Sequence, residues 1–245
     1  MSTLYNNLLV EPIYNTLIAM FNIFPAADAG LAIVFITILV RFALYPLSKK
    51  AVKAQIEMQN IAPELEKIKE KYKNNKEEQA RQTLALYKNK GVNPFSGILV
   101  LLIQLPVIFA LYHIFVSTGF PDIDTDLLYP FINQPNEVSA IFLGINLTQK
   151  SVLLALLAAI TTYFQIKLSI SGSKKPNTNS QSFGDDLAKN MQMQMKYFFP
   201  AMVFFIAYTI SGVIALYWLT TNLFTIGQEI FVRKKLKVLS QETKG

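Results

Sequence analysis

Cysteine is absent from this chain, and histidine occurs once, at His113. The lack of cysteine excludes disulfides, thiol catalysis and cysteine-based metal sites. A single histidine excludes a histidine-based metal cluster, and no spacing identifies a serine partner for it. The apolar segments hold no pair of aspartates for aspartyl-type proteolysis, and the chain has no glycine-rich phosphate loop. The sequence therefore predicts a protein that is not an enzyme and that uses no metal or cofactor.

Charged residues are also scarce, at 16% of the chain, whereas 52% of the residues are hydrophobic and the mean hydropathy is +0.32. This balance is typical of membrane proteins. A membrane-spanning helix needs about 20 largely apolar residues. Hydropathy predicts five such spans, over residues 28–47, 94–116, 151–169, 196–211 and 212–232. We separate the last two at Ser211-Gly212, because one merged helix of about 36 residues would be about 54 Å long, against a bilayer core of about 30 Å.

The basic residues alternate from one connection to the next. The segment 48–93 alone holds eleven Lys and Arg residues, whereas the segments 1–27 and 117–150 hold only Lys150. The positive-inside rule then places the N-terminus outside and the C-terminus inside the cell. The net charge of +7 is accordingly explained by attraction to the anionic inner leaflet. Binding to ribosomal RNA is an alternative interpretation of this charge.

The connections carry patterns of their own. Residues 1–27 are predicted to form an amphipathic helix in the outer interface. The face that would touch the membrane consists of Leu4, Leu8, Leu17, Phe21 and Phe24. Residues 117–150 are predicted to form an external loop, 170–195 a polar cytoplasmic loop, and 233–245 a basic cytoplasmic tail.

The connection 48–93 is predicted to form a cytoplasmic antiparallel helical hairpin. Apolar residues recur there at spacings of 3 to 5 on both sides of a polar turn at 73–76. A solvated, disordered linker would not need this periodicity. Pro63 is expected to kink or restart the first helix, and Gly91 to end the second. The predicted fold is thus an all-α membrane protein of five transmembrane helices with an outer interfacial helix and this hairpin.

Arg41 stands where a charge is costly. It ends an apolar run, and an arginine at the centre of a bilayer costs roughly 2.5–3.5 kcal/mol on translocon scales. Thr37 lies one turn earlier and shares its face. Further polar residues interrupt the other predicted spans: Gln104, Thr161, Thr162, Gln165, Trp218, Thr221, Asn222, Thr225 and Glu229. Each could simply join two helices by a hydrogen bond, typically worth about 0.6 kcal/mol. Together with an arginine that lacks a nearby intramembrane Asp or Glu, they predict a wet cavity open to the inner side.

Several motifs follow one another along nearly the whole chain. They are Val40-Arg41-Phe42-Ala43-Leu44-Tyr45-Pro46-Leu47, Asn93-Pro94, Gln104-Leu105-Pro106-Val107-Ile108, Phe142-Leu143-Gly144-Ile145-Asn146-Leu147, Phe199-Pro200, Ser211-Gly212, Leu216-Tyr217-Trp218 and Asn222-Leu223. In this order, the chain resembles the YidC family of membrane protein insertases.

The resemblance implies a five-helix core around a hydrophilic groove that is open to the inner side and to lipid and closed outside. It makes Arg41 the groove charge, Thr37 its neighbour on the substrate side, Gln165 a groove-lining residue and Trp218 a substrate-contacting aromatic. Three further residues are assigned to the groove: Gln104, Tyr217 and Asn222.

The function that the resemblance implies is insertion and folding of nascent membrane proteins in the bacterial plasma membrane, without nucleotide hydrolysis. It names the lipid bilayer, the ribosome, the signal recognition particle pathway and a Sec-type translocon as candidate partners. A non-translocating assembly scaffold is the main alternative. A small-solute transporter is another, but it would show an internal repeat and half-helices at the midplane, and the sequence has neither.

Overall fold

The computed structural model describes residues 3–24, 28–93, 105–117, 122–135, 137–170 and 194–242. These residues are mostly helical, as predicted for an all-α protein. The main helices are α1 (Glu11–Ile23), α2 (Ala29–Ala43), α3 (Tyr45–Lys71), α4 (Lys76–Lys90), α5 (Leu105–Phe115), α6 (Val152–Ile170), α7 (Phe199–Ile210) and α8 (Gly212–Glu242). Short helical turns cover Thr3–Tyr5, Asn6–Val10, His113–Ser117, Thr125–Leu127 and Gln194–Phe198.

Within the described residues, α6 by itself has the length and apolar character needed to cross a membrane. Helices α2 and α3 meet the same criterion only as a pair, bent by 65°. The five-span topology therefore stays a prediction. The apolar surface is nevertheless large, since Leu153 and Phe164 on α6 and Phe231 on α8 are all more than half exposed. Exposed apolar area of this kind marks a lipid or protein contact.

Helix α1 packs into the core. The prediction that Leu4, Leu8, Leu17, Phe21 and Phe24 form one continuous membrane-facing surface is therefore wrong. Leu17 and Phe21 are almost fully buried, at 1% and 2% exposure, whereas Leu4 and Leu8 are exposed. The reason is the π-helical turn Asn6–Val10, which adds a residue to one turn and so rotates the residues before it away from those after it.

Helix α2 begins at a side-chain cap and ends earlier than the predicted span 28–47. The Asp28 carboxylate accepts hydrogen bonds from the backbone N–H groups of Gly30 and Leu31, at 2.8 and 3.0 Å. The helix ends at Ala43, and α3 starts at Tyr45 in a new direction. Pro46 favours this break, because proline lacks an N–H group and fits best in the first turn of a helix.

Helices α3 and α4 form an antiparallel pair in the predicted hairpin segment. Lys90 of α4 reaches Glu64 of α3 at 2.7 Å, an exposed ion pair of the kind that contributes about 0–1 kcal/mol. Helix α3 continues through Pro63 to Lys71, so the predicted restart there is wrong, and a kink at this residue stays a prediction. The predicted end at Gly91 is confirmed, because this glycine adopts a left-handed conformation with φ 65°.

Two local contacts stabilise the start of α4. The Asn75 side chain caps the helix by accepting a hydrogen bond from the backbone N–H group of Glu78. Hydrogen bonds from Gln82 and Arg81 lower the pKa of the Glu78 carboxyl. Both contacts form within one helical turn of the cap, so this end of the hairpin is stabilised locally.

The core of the molecule lies among α1, α2, α5, α6, α7 and α8. Helix α8 packs against α6 and α2, and α6 also packs against α7. Extended backbone at Ser211 separates α7 from α8, so these two are distinct helices. Helix α8 continues to Glu242, ten residues beyond the predicted end of the fifth span. The predicted tail is therefore helical through most of its length.

A small hairpin that the sequence did not predict covers one end of this core. Strands β1 (Ile141–Phe142) and β2 (Ile145–Asn146) pair antiparallel. Leu143 and Gly144 have φ values of 49° and 79°, as required at both central positions of a type I′ turn.

The segment around this hairpin is bonded to the first turns of α2 and α8. The backbone N–H of Ala29 donates to Ser139, and those of Gly212 and Val213 donate to Gln149 and Leu147. These bonds satisfy N–H groups that helix starts otherwise leave without partners. A Cβ atom at Gly30 would overlap the Phe142 ring, and one at Gly212 would lie 3.1 Å from the Leu147 backbone. The loop thus closes this end of the bundle by direct backbone contact.

Candidate functional site

Arg41 lies at the contact between α2 and α8. It is 8% exposed, and its guanidinium interacts electrostatically with the phenol of Tyr217. Thr37, one turn earlier, is 2% exposed and donates its hydroxyl proton to the Ile33 carbonyl at 2.6 Å. The structure therefore places Arg41 within electrostatic reach of Tyr217 on α8, and Thr37 lies one turn from it on α2.

The face of α8 that carries Tyr217 holds further buried polar groups. Residues on a helix advance by 100° each, so Tyr217, Thr221, Phe224 and Gln228 share one face about 40° to 60° wide. The Phe224 ring lies 5.2 Å from the Phe42 ring at the end of α2. This face is consequently turned toward the end of α2, where Arg41 lies. Gln228 was not predicted as a site residue, although its spacing from Tyr217 and Thr221 could have identified it.

Asn222 belongs to a different contact, between α8 and α6. Its amide nitrogen donates to the hydroxyl of Thr162 at 2.7 Å, to that of Thr161 at 3.2 Å and to the carbonyl of Ala158 at 3.1 Å. Both threonines donate their own protons to carbonyls of α6, which leaves their lone pairs free to accept. The predicted polar stripe of α8 is therefore divided between two neighbouring helices.

The other predicted site residues are placed less tightly. Gln165 on α6 and Trp218 on α8 are each half-buried, and Trp218 packs against the apolar core. Gln104 lies outside the described residues. That all the predicted residues share one cavity therefore stays a prediction.

A polar network joins α3, α6 and α8 at the far end of α8. Arg233 forms an ion pair with Glu229 at 2.7 Å. The Glu229 side chain is 1% exposed and accepts a hydrogen bond from the Ser169 hydroxyl at 2.7 Å. The amide of Gln59 accepts from Arg233, and both Gln55 and Gln59 donate to the Ser169 carbonyl. The spacing of Glu229 and Arg233 at i, i+4 is the one signal that sequence reasoning could have used here.

Packed apolar helices with exposed apolar faces around a buried arginine are features expected of a helical membrane protein. In the described part of the chain, no three His, Cys, Asp or Glu side chains converge as a metal site. The family model described as "60Kd inner membrane protein" matches residues 19–241.

Curated relatives carry the name "Membrane protein insertase YidC". The one from Clostridium tetani is 31% identical over 233 residues, which cover 94% of this chain and 93% of that protein. The one from Oceanobacillus iheyensis is 32% identical over 212 residues, or 84% of this chain and 75% of that protein. A third, YidC 2 of Bacillus anthracis, is 32% identical over 239 residues, with coverages of 94% and 81%. The chain belongs to the YidC family of membrane protein insertases, which confirms the predicted resemblance.

Proposed function

We propose that this protein inserts nascent membrane proteins into a bacterial membrane and helps them fold. Family membership supports the general activity, and the buried Arg41 between α2 and α8 is the observation that carries the mechanism. An arginine so placed is favourable only when it meets polar groups or a negative charge. A substrate segment with acidic residues supplies that charge.

The physical problem for an insertase is the passage of a polar segment through about 30 Å of hydrocarbon. A polar groove that opens inward shortens the path, and the loop around Gly30 and Gly212 closes the other side. Arg41 attracts acidic residues of the arriving segment, most strongly where water is excluded. Thr37, Gln165, Trp218, Tyr217 and Gln104 line the path in this proposal, and Asn222 holds its α8 wall against α6.

The apolar span of the substrate leaves the groove sideways. The outer faces of α6 and α8 carry exposed apolar side chains along which it can move: Leu153, Leu156, Phe164, Leu223, Ile230 and Phe231. Burial of apolar surface releases about 25 cal/mol per Å², so this step is favourable without nucleotide hydrolysis. The α3–α4 hairpin serves as a docking element for the ribosome or a targeting factor.

Photo-crosslinking tests the proposal against the assembly scaffold. A crosslinker at position 218 should capture a ribosome-stalled nascent span, whereas one at the exposed Phe205 of α7 should capture much less. Release of the chain from the ribosome should abolish the adduct at position 218, because an insertase passes its substrate on to lipid. An adduct that persists with the released, full-length substrate would indicate a scaffold instead.

A further inference from the structure

Two buried polar side chains of α8 have no hydrogen-bond partner among the described residues. They are the Thr221 hydroxyl and both polar atoms of the Gln228 amide, at 5% and 7% residue exposure. Such groups are nearly always paired in native structures, and leaving one unpaired is unfavourable. Thr221 and Gln228 therefore hold hydrogen-bonding capacity that the resting protein does not use.

Both groups lie on the side of Arg41. They share the face of α8 on which the Phe224 ring contacts the Phe42 ring of α2 and from which Tyr217 interacts electrostatically with Arg41. The opposite polar residue, Asn222, has its amide nitrogen fully occupied by α6. The unpaired groups are thus arranged along the proposed substrate path and not along the α6–α8 contact.

The spacing of these groups fits an extended chain. With a rise of 1.5 Å per residue, Thr221 lies about 6 Å and Gln228 about 16 Å from Tyr217 along α8. An extended peptide advances about 3.3 Å per residue. If one substrate residue lies at Tyr217, the residues at Thr221 and Gln228 are therefore about two and about five positions further along the substrate. A glutamine amide offers both N–H donors and a carbonyl acceptor, which is the pair that a peptide group requires.

We propose that Thr221 and Gln228 are substrate-binding residues that hydrogen-bond the backbone of an extended translocating segment as it enters between α8 and the end of α2. This inference rests on the proposed insertase function. Because these side chains recognise peptide groups, their contribution is the same for acidic and uncharged segments, in contrast to that of Arg41. It depends instead on segment length, since a segment shorter than the distance from Tyr217 to Gln228 cannot reach all three residues.

The test uses the full chain in liposomes and single-span substrates with uncharged polar arms of about 3 and about 12 residues, shorter and longer than this distance. The variants are Thr221→Val and Gln228→Met, which remove the polar groups and keep the size. Thr220→Val is the matched control, because the buried Thr220 hydroxyl already donates to the Leu216 carbonyl at 2.8 Å.

We expect Thr221→Val and Gln228→Met each to lower insertion of the long arm about three- to tenfold, the effect of one lost hydrogen bond. With Gln228→Met, insertion of the short arm should stay within about twofold, because about 3 residues do not reach Gln228. Thr221→Val should lower insertion of both arms, since Thr221 lies within reach of each, and Thr220→Val should leave both within about twofold. The thermal midpoint of each of the two variants should rise, because an unpaired buried polar group has been removed.

Two results would overturn this inference while the protein remains an insertase. One is wild-type insertion of the long arm by both variants. The other is an equal loss for both arms with Gln228→Met together with a lower thermal midpoint, which would show a purely structural role. Failure of the wild-type protein to insert either arm would instead overturn the proposed function, and this inference with it.

Discussion

Arg41 is a buried, charged side chain near the end of the apolar helix α2. The side chain is 8% exposed and interacts electrostatically with Tyr217 of a second helix. In hydrocarbon the guanidinium would be unfavourable by several kcal/mol. In the proposed function, the negative charge of a substrate segment offsets this cost.

The charge of Arg41 can be tested by substitution. Arg41→Lys should retain most insertion of substrates with acidic arms, because the positive charge remains. Arg41→Ala should lower it about tenfold or more, since a hydrogen bond to a charged group contributes about 1.5–3 kcal/mol. Insertion yields for acidic and neutral arms of equal length are the measurement. Equal insertion of the acidic arm by the wild-type protein and Arg41→Ala would exclude a role for the charge.

Asn222 should behave as a structural residue. Asn222→Leu removes its bonds to Thr161, Thr162 and Ala158, each interhelical bond being worth about 0.6 kcal/mol. A thermal unfolding scan in detergent should therefore show a lower midpoint. The ratio of acidic-arm to neutral-arm insertion should stay constant. A changed ratio with an unchanged midpoint would show that Asn222 contacts the substrate and is not a structural residue.

At the scale of whole elements, the base of the α3–α4 hairpin is joined to the core. Gln55 and Gln59 of α3 meet Ser169 of α6, and Arg233 of α8 links Gln59 to the buried Glu229. A mobile hairpin would therefore have to bend beyond Gln59. The network sets the direction in which the hairpin leaves the bundle.

The network should be important for stability. Arg233→Ala leaves the Glu229 carboxylate buried without its ion pair, a change that typically costs about 3–5 kcal/mol. Lys53→Ala is the control, since its ion pair with Glu57 is largely exposed and worth about 0–1 kcal/mol. Comparison of their thermal midpoints tests this. Similar midpoints for the two variants would show that the network contributes little.

The outer part of the hairpin can be removed while the network is kept. The Glu64 carboxylate and the Lys90 ammonium group are 2.7 Å apart, so α3 and α4 lie side by side at these two residues and a short Gly-Ser linker can replace residues 65–89. We expect this variant to fold and to insert released substrates, but to capture ribosome-bound nascent chains less well in a co-sedimentation assay. Undiminished capture of ribosome-bound nascent chains would show that the outer hairpin acts only as a spacer.

Local signals predicted some helix limits and not others. Gly91 and Ser211-Gly212 mark boundaries through their own backbone preferences, and the structure has boundaries at both places. The bend after Leu44 was missed because Pro46 fits the first turn of a new helix as well as the end of a span. The β1–β2 loop was missed because its contacts with α2 and α8 join residues that are distant in sequence.

The site was predictable to a similar degree. Arg41 and Thr37 follow from hydropathy and helical spacing. The division between Thr221 and Asn222 does not, because neighbours on a helix point 100° apart and the helix that each one meets depends on tertiary packing. The spacing of Gln228 from Tyr217 and Thr221 indicates its face of α8, but its lack of a hydrogen-bond partner exists only in the folded protein.

For the whole molecule, the two ends of the bundle differ. The loop around β1 and β2 closes one end by bonds to the backbone of α2 and α8. At the other end α3, α6 and α8 meet through polar side chains, and α8 continues into a basic segment. An insertase requires this polarity, because substrates enter from one side and must not open a leak through the other.

The central claim is that this chain alone carries a polar segment across a bilayer. The most direct measurement is protease protection of a single-span substrate added to liposomes that contain only this protein. Our account predicts that the polar arm becomes protected inside the vesicles, in proportion to the amount of protein and without nucleotide. A substrate that binds these vesicles while its arm stays as protease-sensitive as with empty liposomes would contradict it.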